Sequence, residues 1–567
     1  MAATEHSPDS FVFKTDRPWP NARLKVAAIV GHATENSARV WLRTGRPGEF
    51  ALLAYPWDAA LESAGGKAAL RSALGAVPLA LSAAEALLPG MCSEDFEVAD
   101  YASDTTWVVN LEGLDADTRY GYVLYARDRE RALLGHNRLR RFRTPPAETE
   151  RRALQFALFS CHMPYAVHGL FGKRTESTNL DMWDFLGATL DRHRDEVDLV
   201  IAGGDQCYSD GVATLDIWGH LNRTMRKEED RLLPDEEAMR SWYRDVYRGY
   251  WGFQSVQRVF DGFPTYMIWD DHEIGDGWGS HWFREGDAQD GLRRMLPDLD
   301  ERGLSYADGM ELMQRMFRAA RHTYVEYQHS HNPPTADGTL DYAFTRGGCA
   351  FYVLDGRGRR DIERESYRIL GREQFDRFEE WAGALRPEMT PFAFVVSAVP
   401  VLHTRAALVQ ADEHLGGLGD DLRDSWEHEL HDTERKALMT ALFDAAARGV
   451  KVSVLSGDVH VSAVFAIEND EGSRVYQLTS SAITYNLSLP QSWVLRMGAA
   501  DSGTTDENHR FERLALYTQS AYALISVDPA NGEAWFKLYG EQKLDAPADA
   551  PASPVALSHS LAKIRLF

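Results

Sequence analysis

The chain is poor in cysteine, has no long apolar run and is short of basic side chains. Its four cysteines, Cys92, Cys161, Cys207 and Cys349, stand far apart with no Cys-x-x-Cys pair. That spacing argues against a disulfide framework and against a structural zinc knuckle. No segment has the length of a membrane span, so none is expected. The opening residues MAATEHSPDSFVFK lack a basic stretch followed by an apolar one and hold no twin-arginine. A cytoplasmic location is the expectation for the chain as given. A periplasmic or secreted one is the alternative if a twin-arginine leader has been removed. Lys and Arg number 61 against 85 Asp and Glu, a formal net charge of −24. Such a surface repels a polyphosphate backbone, so nucleic acid is not an expected partner, and it disfavours an anionic membrane. Oligomeric state is left open by the sequence.

What is present is apolar and aromatic: 44% hydrophobic residues, with 15 Trp, 22 Tyr and 25 Phe. That is the composition of a packed globular protein. At 567 residues, two or more domains are expected. Residues 20–147 hold alternating apolar runs paired around turns, in LKVAAIVGHATENSARVWLRT and TTWVVNLEGLDADTRYGYVLYARD, closed by the prolines of RRFRTPPAE. They predict an all-β sandwich of the fibronectin type III sort, with a partly helical insertion between Trp57 and Leu88. From Glu148 to about residue 545, apolar runs alternate with helix-spaced segments, beginning with ALQFALF, DMWDFLGATLDRHRDEV and DLVIAGG. That alternation predicts a layered α/β domain over 148–545. The remaining 546–567 read as a C-terminal tail, its Ala/Pro-rich DAPADAPASP a linker after which the last residues either dock or fray.

Four of the apolar runs end in polar clusters of one kind. LQFALF runs into Ser160-Cys161-His162, DLVIAGG into Asp205-Gln206-Cys207-Tyr208, PTYMIW into Asp270-Asp271-His272-Glu273, and VKVSVLSG into Asp458-Val459-His460. Ligands of open α/β sheets bind beyond the carboxyl ends of strands. Carboxylates, imidazoles, a phenol and a thiol gathered there are costly to bury without a cation, and two or more metal ions turn them into a phosphoryl-transfer device. Asp205, after two glycines, is the candidate bridge between ions. Tyr208 offers a phenolate suited to ferric iron, which a Cys161 thiolate would reinforce; the rival reading of Cys161 is a small buried hydrophobe. Asp271 and Asp458 are hard oxygen donors suited to Ca²⁺, Mn²⁺ or Mg²⁺. Asp458 and His460 are read as alternating along a strand and so facing one side. His272, beside a ligand, is placed to protonate a leaving oxygen or to stabilise transition-state charge.

GGDQCYSDG, WDDHEIGDGWG, FYVLDGRGRRDIE, the LGREQFDRFEEWAGAL helix and LSGDVHVSAVF resemble, in order, the motifs of the PhoD-like alkaline phosphatases. These belong to the calcineurin-like metallophosphoesterase superfamily, beside the purple acid phosphatases. The resemblance covers residues 20 to 540. It implies a four-layer αββα catalytic core and hydrolysis of phosphate mono- and diesters by a metal-activated water or hydroxide. It also implies Fe³⁺ with Ca²⁺, with Mn²⁺, Mg²⁺ or Zn²⁺ as alternatives for the divalent ion. Carried over by motif, Cys161, Asp205, Tyr208 and His460 bind the iron, and Asp205, Asp271 and Asp458 serve the divalent side. The chain departs from the pattern at His162-Met163-Pro164, at Cys207 and in HTYVEYQHSHNPP.

Other residues are read individually. Arg357, Arg359 and Arg360 are candidates to grip phosphate oxygens, with surface salt bridging as the rival. His281 and the Trp278/Trp282 pair are candidates to line the pocket, with core packing as their rival. Cys207 reads as packing, and His329 and His331 as surface residues. Two rival functions stand beside the ester hydrolase: a phosphodiesterase or phosphotriesterase with little monoesterase activity, and a catalytically silent binding protein.

Overall fold

The computed structural model describes residues 24–135, 138–148, 150–168, 174–177, 180–211, 217, 235–280, 283, 285, 291–296, 299, 303–336, 338–360, 369–404, 419–480, 482–485, 498–505, 508–541 and 558–567. His281 and Trp282 lie outside them.

Between Ala27 and Arg143 the strands form two antiparallel sheets. Ala27–Ala33, Ser37–Arg43 and Thr106–Glu112 make one. Cys92–Val98, Gly48–Pro56, Arg119–Ala126 and Arg131–Ala132 make the other, with Arg140–Arg143 also on Arg119–Ala126. Residues two apart on a strand share a face. Val30, Val40 and Leu42 therefore meet Phe50, Leu52 and Leu124 in one core. The alternate positions Ala51, Leu53 and Val123 face the inserted helices Ala64–Leu74 and Leu81–Leu87 through Leu70, Leu74 and Ala84.

The rest of the chain is mixed α/β, built on two larger sheets. In spatial order the first holds Thr265–Ile268, Val197–Gly203, Leu154–Phe159, Ala521–Asp528, Glu533–Glu541 and Ser558–Arg565. Its first three strands are parallel and its last three antiparallel. The second holds Tyr342–Arg346, Cys349–Val353, Phe392–Val396, Lys451–Ser456, Arg474–Thr479, Ser462–Glu468, Arg510–Tyr517 and Ser502–Thr504. Phe156 of the first sheet packs edge-on against Phe351 and Phe394 of the second, at 5.4 and 5.2 Å between ring centroids. The far face of the first sheet carries the helix Asp181–Arg192, with Trp183 on Phe159 at 4.8 Å. The far face of the second carries Arg372–Ala384 and Asp432–Ala447, through Phe378 and Leu438 on Tyr352 and Val395. The contacts thus run helix, sheet, sheet, helix.

Two sequence expectations change. The run VKVSVLSGDVHVSAVFAI is two strands, Lys451–Ser456 and Ser462–Glu468, joined by a tight loop. Asp458 and His460 sit in that loop, so strand alternation does not orient them. Of the two outcomes open to the last residues, docking is the one observed: Ser558–Arg565 forms an edge strand on Glu533–Glu541. His329 and His331 are 9% and 0% exposed, not surface groups. The turn that carries them is folded inward against Gly31, whose missing side chain leaves room for the His331 backbone. Burial pulls His331 down to about 3 and His329 to about 4.

The N-terminal sheets are fastened to the rest by buried ions. Asp104 accepts from Arg43 at 2.9 and 3.1 Å, from Arg248 at 2.5 Å and from the Tyr327 hydroxyl. Arg140 pairs with Asp261 at 2.7 Å, and Arg244, held by Glu326 at 2.8 Å, donates to the Ala102 carbonyl oxygen at 2.7 Å.

Candidate metal centre

The parallel strands Leu154–Phe159, Val197–Gly203 and Thr265–Ile268 end on one side of the first sheet. Lys451–Ser456 ends beside them from the second. Glycine makes that meeting possible. A Cβ at Gly457 would fall on the Ser160 side chain and within 2.8 Å of the Gly203 carbonyl oxygen. A Cβ at Gly204, whose φ is +104°, would press on Ala398 and Asp270 at 3.0 Å. Backbone bonds then stitch the loops: Cys161 N–H to Gly204 O at 3.2 Å, His162 N–H to Asp205 O at 2.8 Å, Ser209 N–H to His272 O at 2.9 Å.

The ligating atoms of Cys161, Asp205 and His460 lie within 4.8 Å of one another, and so do those of Asp205, Asp270, Asp271 and Asp458. Asp205 belongs to both groups. The Tyr208 hydroxyl joins the first, 3.2 Å from Asp205 Oδ2 and 3.0 Å from His460 Nε2. Cys161, Asp205, Asp458 and His460 all take left-handed backbone, with φ of 57, 57, 62 and 53°. Non-glycine residues avoid that region, and such strain gathers at functional sites.

The site is electrostatically incomplete by itself. Asp205 Oδ1, Asp270 Oδ2 and Asp271 Oδ1 are buried without a hydrogen-bond donor. Burial, then the neighbouring carboxylates, pushes Asp205 and Asp458 well above the usual carboxylate range. Asp270 is raised to about 6 by burial despite Arg357. Burial, with the field of His272, lowers His460 to about 3, so its imidazole is neutral and available as a ligand. Carboxylates this close cannot all ionise in a buried place unless cations enter. The orphaned oxygens, the neutral imidazole and the donor set therefore fit metal ions.

The profile of the PhoD-like phosphatases matches residues 156–532. The chain belongs to the PhoD-like phosphatase family. The solved structure of PhoD has the fold of this PhoD-like chain, with a TM-score of 0.60 at 15% identity, over 97% of this chain and 91% of that one. A purple acid phosphatase from yellow lupin (Lupinus luteus) seeds aligns over 92% of this chain and 72% of its own, at 11% identity and a TM-score of 0.47. An uncharacterized protein of Saccharomyces cerevisiae is 22% identical over 320 residues, 47% of this chain. The match spans 44% of that curated relative's length.

Around the PhoD-like centre, His272 pairs through Nδ1 with the Asp210 carboxylate at 2.8 Å, and its ring lies 4.0 Å from that of Tyr208. Burial would lower its pKa, but Asp210, Asp271 and Asp205 raise it well above the usual imidazole value. Arg357 departs from its sequence assignment as a substrate-gripping residue. Its guanidinium is fully buried: Nε donates to Asp270, Nη1 to Trp278 O at 3.0 Å and to Asp424 at 2.6 Å, and Nη2 to Asp424 at 2.6 Å. Arg360 is likewise turned inward, onto Gly356 O and Asp424 O. Arg359 pairs at the surface with Glu373. Trp278 is core, stacked on Phe317 at 5.4 Å, and Cys207 is buried as packing.

Four residues have parts that the sequence alone did not assign. Glu273 accepts from the N–H of Asp270 and of Gln206, tying two motif loops together, and burial raises it to about 8. Asp210 holds His272; its place in GGDQCYSDG was the available signal. Asp424 takes Arg357, and Tyr485 stacks on His460 at 3.7 Å. No motif marks these two.

Proposed function

We propose that this chain hydrolyses phosphate mono- and diesters with metal ions held between its two larger sheets. Cys161, Asp205, Tyr208 and His460 supply a sulfur, phenol and imidazole set that suits Fe³⁺, and Asp205, Asp271 and Asp458 an all-oxygen set that suits Ca²⁺. Mn²⁺, Mg²⁺ and Zn²⁺ are the alternatives at the second set. When bound, such ions supply Lewis acidity, polarising the phosphoryl oxygens and acidifying water. His272 keeps its proton because Asp210, Asp271 and Asp205 favour the charged ring, and it delivers that proton to the leaving oxygen. Asp210, bonded to Nδ1, fixes the ring so that Nε2 is the acidic atom. The Tyr208 ring backs the imidazole and limits its tilt. Arg357 neutralises part of the carboxylate charge around Asp270 and Asp424.

The observation that carries this reading is the cluster of Asp205, Asp270 and Asp271 from the first sheet with Asp458 from the second, their ligating atoms within 4.8 Å of one another and three of their buried oxygens without a hydrogen-bond donor. A second reading, diesterase with little monoesterase activity, is favoured by the engagement of Arg357 and Arg360. Both guanidiniums already serve carboxylates or carbonyls, which leaves neither for a dianionic phosphate. Elemental analysis of the purified chain, beside hydrolysis of p-nitrophenyl phosphate and its bis ester, tests both. Copurifying metal with turnover is expected, and the ratio of the two rates decides between the readings. Absence of metal, with no activity restored by iron, calcium, manganese or zinc, overturns the hydrolase.

A further inference from the structure

A cluster of basic side chains lies in the N-terminal sheets. A surface cavity of about 210 Å³ there is lined by five cations, Lys25, Arg43, Arg46, Arg129 and Arg131, and by no acidic residue. On a chain of net charge −24, that grouping is unlike the general surface. Two of the cations are anchored in place. Arg43 is fixed by Asp104 and by the carbonyls of Leu24 and Lys25. Arg46 forks onto Asp128 at 2.6 and 2.8 Å. Arg129 and Arg131 are exposed on either side of Glu130, whose left-handed backbone (φ 44°) turns the chain between them. The Glu130 carboxylate is not among the lining groups. Gly45, also in the lining, takes φ +73°, and a side chain there would press on the Lys25 carbonyl at 2.9 Å. Guanidiniums offer forked donors that match tetrahedral oxyanions, and this volume is several times the roughly 30 Å³ of one water.

We propose that this cavity binds a small oxyanion of two or more negative charges, of the inorganic phosphate class, independently of the metal centre. Arg129 and Arg131 supply the ligand-facing forks, while Arg43 and Arg46, whose charges are met by Asp104 and Asp128, shape the wall behind them.

Calorimetric titration with inorganic phosphate, on the full chain and on Asp205→Asn and Arg129→Gln/Arg131→Gln variants, tests it. Binding that survives Asp205→Asn and weakens about tenfold or more in the double Gln variant is the expected result. Potassium acetate at matched ionic strength is expected to give no comparable heat. Phosphate binding in the double variant equal to that of the parent chain, or equal heats from acetate, overturns the proposal. Circular dichroism checks that the double variant is folded; Arg129→Gln alone, expected to weaken binding by a smaller factor, serves if it is not. Turnover assays on Asp205→Asn report on the metal centre separately, so the two readings fail independently.

Discussion

Asp104, where the N-terminal sheets meet the rest of the chain, and Asp205, at the end of Val197–Gly203, are both buried aspartates with left-handed backbone, φ 49 and 57°. Their surroundings differ in sign. Burial opposes the Asp104 charge, but Arg248 and Arg43 outweigh it and hold the carboxyl below its usual range. Burial also opposes the Asp205 charge, and Asp270, Asp271 and Glu273 add to that opposition, with His272 against them. Folding completes the first site from within. The second it leaves open, with oxygens that only an arriving cation satisfies. A buried charge with its partners built in fastens a structure; one without them announces a ligand.

Exchanging the two aspartates for their amides should separate these roles. Asp205→Asn is expected to cut turnover of the bis ester by roughly a thousandfold or more, about 4 kcal/mol in the barrier. The melting temperature of the chelator-treated chain should hold or rise, because one like charge is gone. Asp104→Asn should do the reverse. Denaturant titration is expected to show a loss of about 3–5 kcal/mol, since Arg43 and Arg248 are left buried without their carboxylate, while turnover per folded molecule is kept. Asp210→Asn removes neither a ligand nor a fastener, and should lower kcat by about 10–100-fold. It also takes away a charge that raises the His272 pKa, so the alkaline limb of the rate profile should move to lower pH. The smallest effect is expected at Glu326, which burial raises to about 7 despite Arg244. Its unfolded value is about 4.3, so the folded chain holds the extra proton between those values. The stability this contributes is complete below about pH 4.3 and lost as pH rises through 7. Glu326→Gln should therefore flatten the fall in melting temperature between pH 5 and 8.

The strands that end in the motifs were legible because each is a short apolar run with its polar cluster next in sequence. The strand Arg510–Tyr517 was not, since it is exposed or half-buried along its length and reads as ordinary mixed sequence. Arg357 shows the limit for sites. Its basic run was visible, but its partners Asp270 and Asp424 lie 87 and 67 residues away, and they decide which way the guanidinium turns. The shared facing of Asp458 and His460 was expected from the wrong cause, alternation along a strand, where the chain uses two left-handed residues in a loop. His329 and His331 looked like a polar turn because the space under Gly31 is not written in their own neighbourhood.

Leu154–Phe159 lies between Val197–Gly203 and Ala521–Asp528, and the Gln155 side chain reaches Ser526, 371 residues further on. A ribosome adding about 5–20 residues per second needs roughly 20–75 s to cover that distance. Throughout that interval the first motif strand has one neighbour and one bare edge, the kind of surface on which nascent chains stick together. Yield in a living cell should therefore follow chaperone supply and growth temperature more closely than it follows the stability of the finished protein.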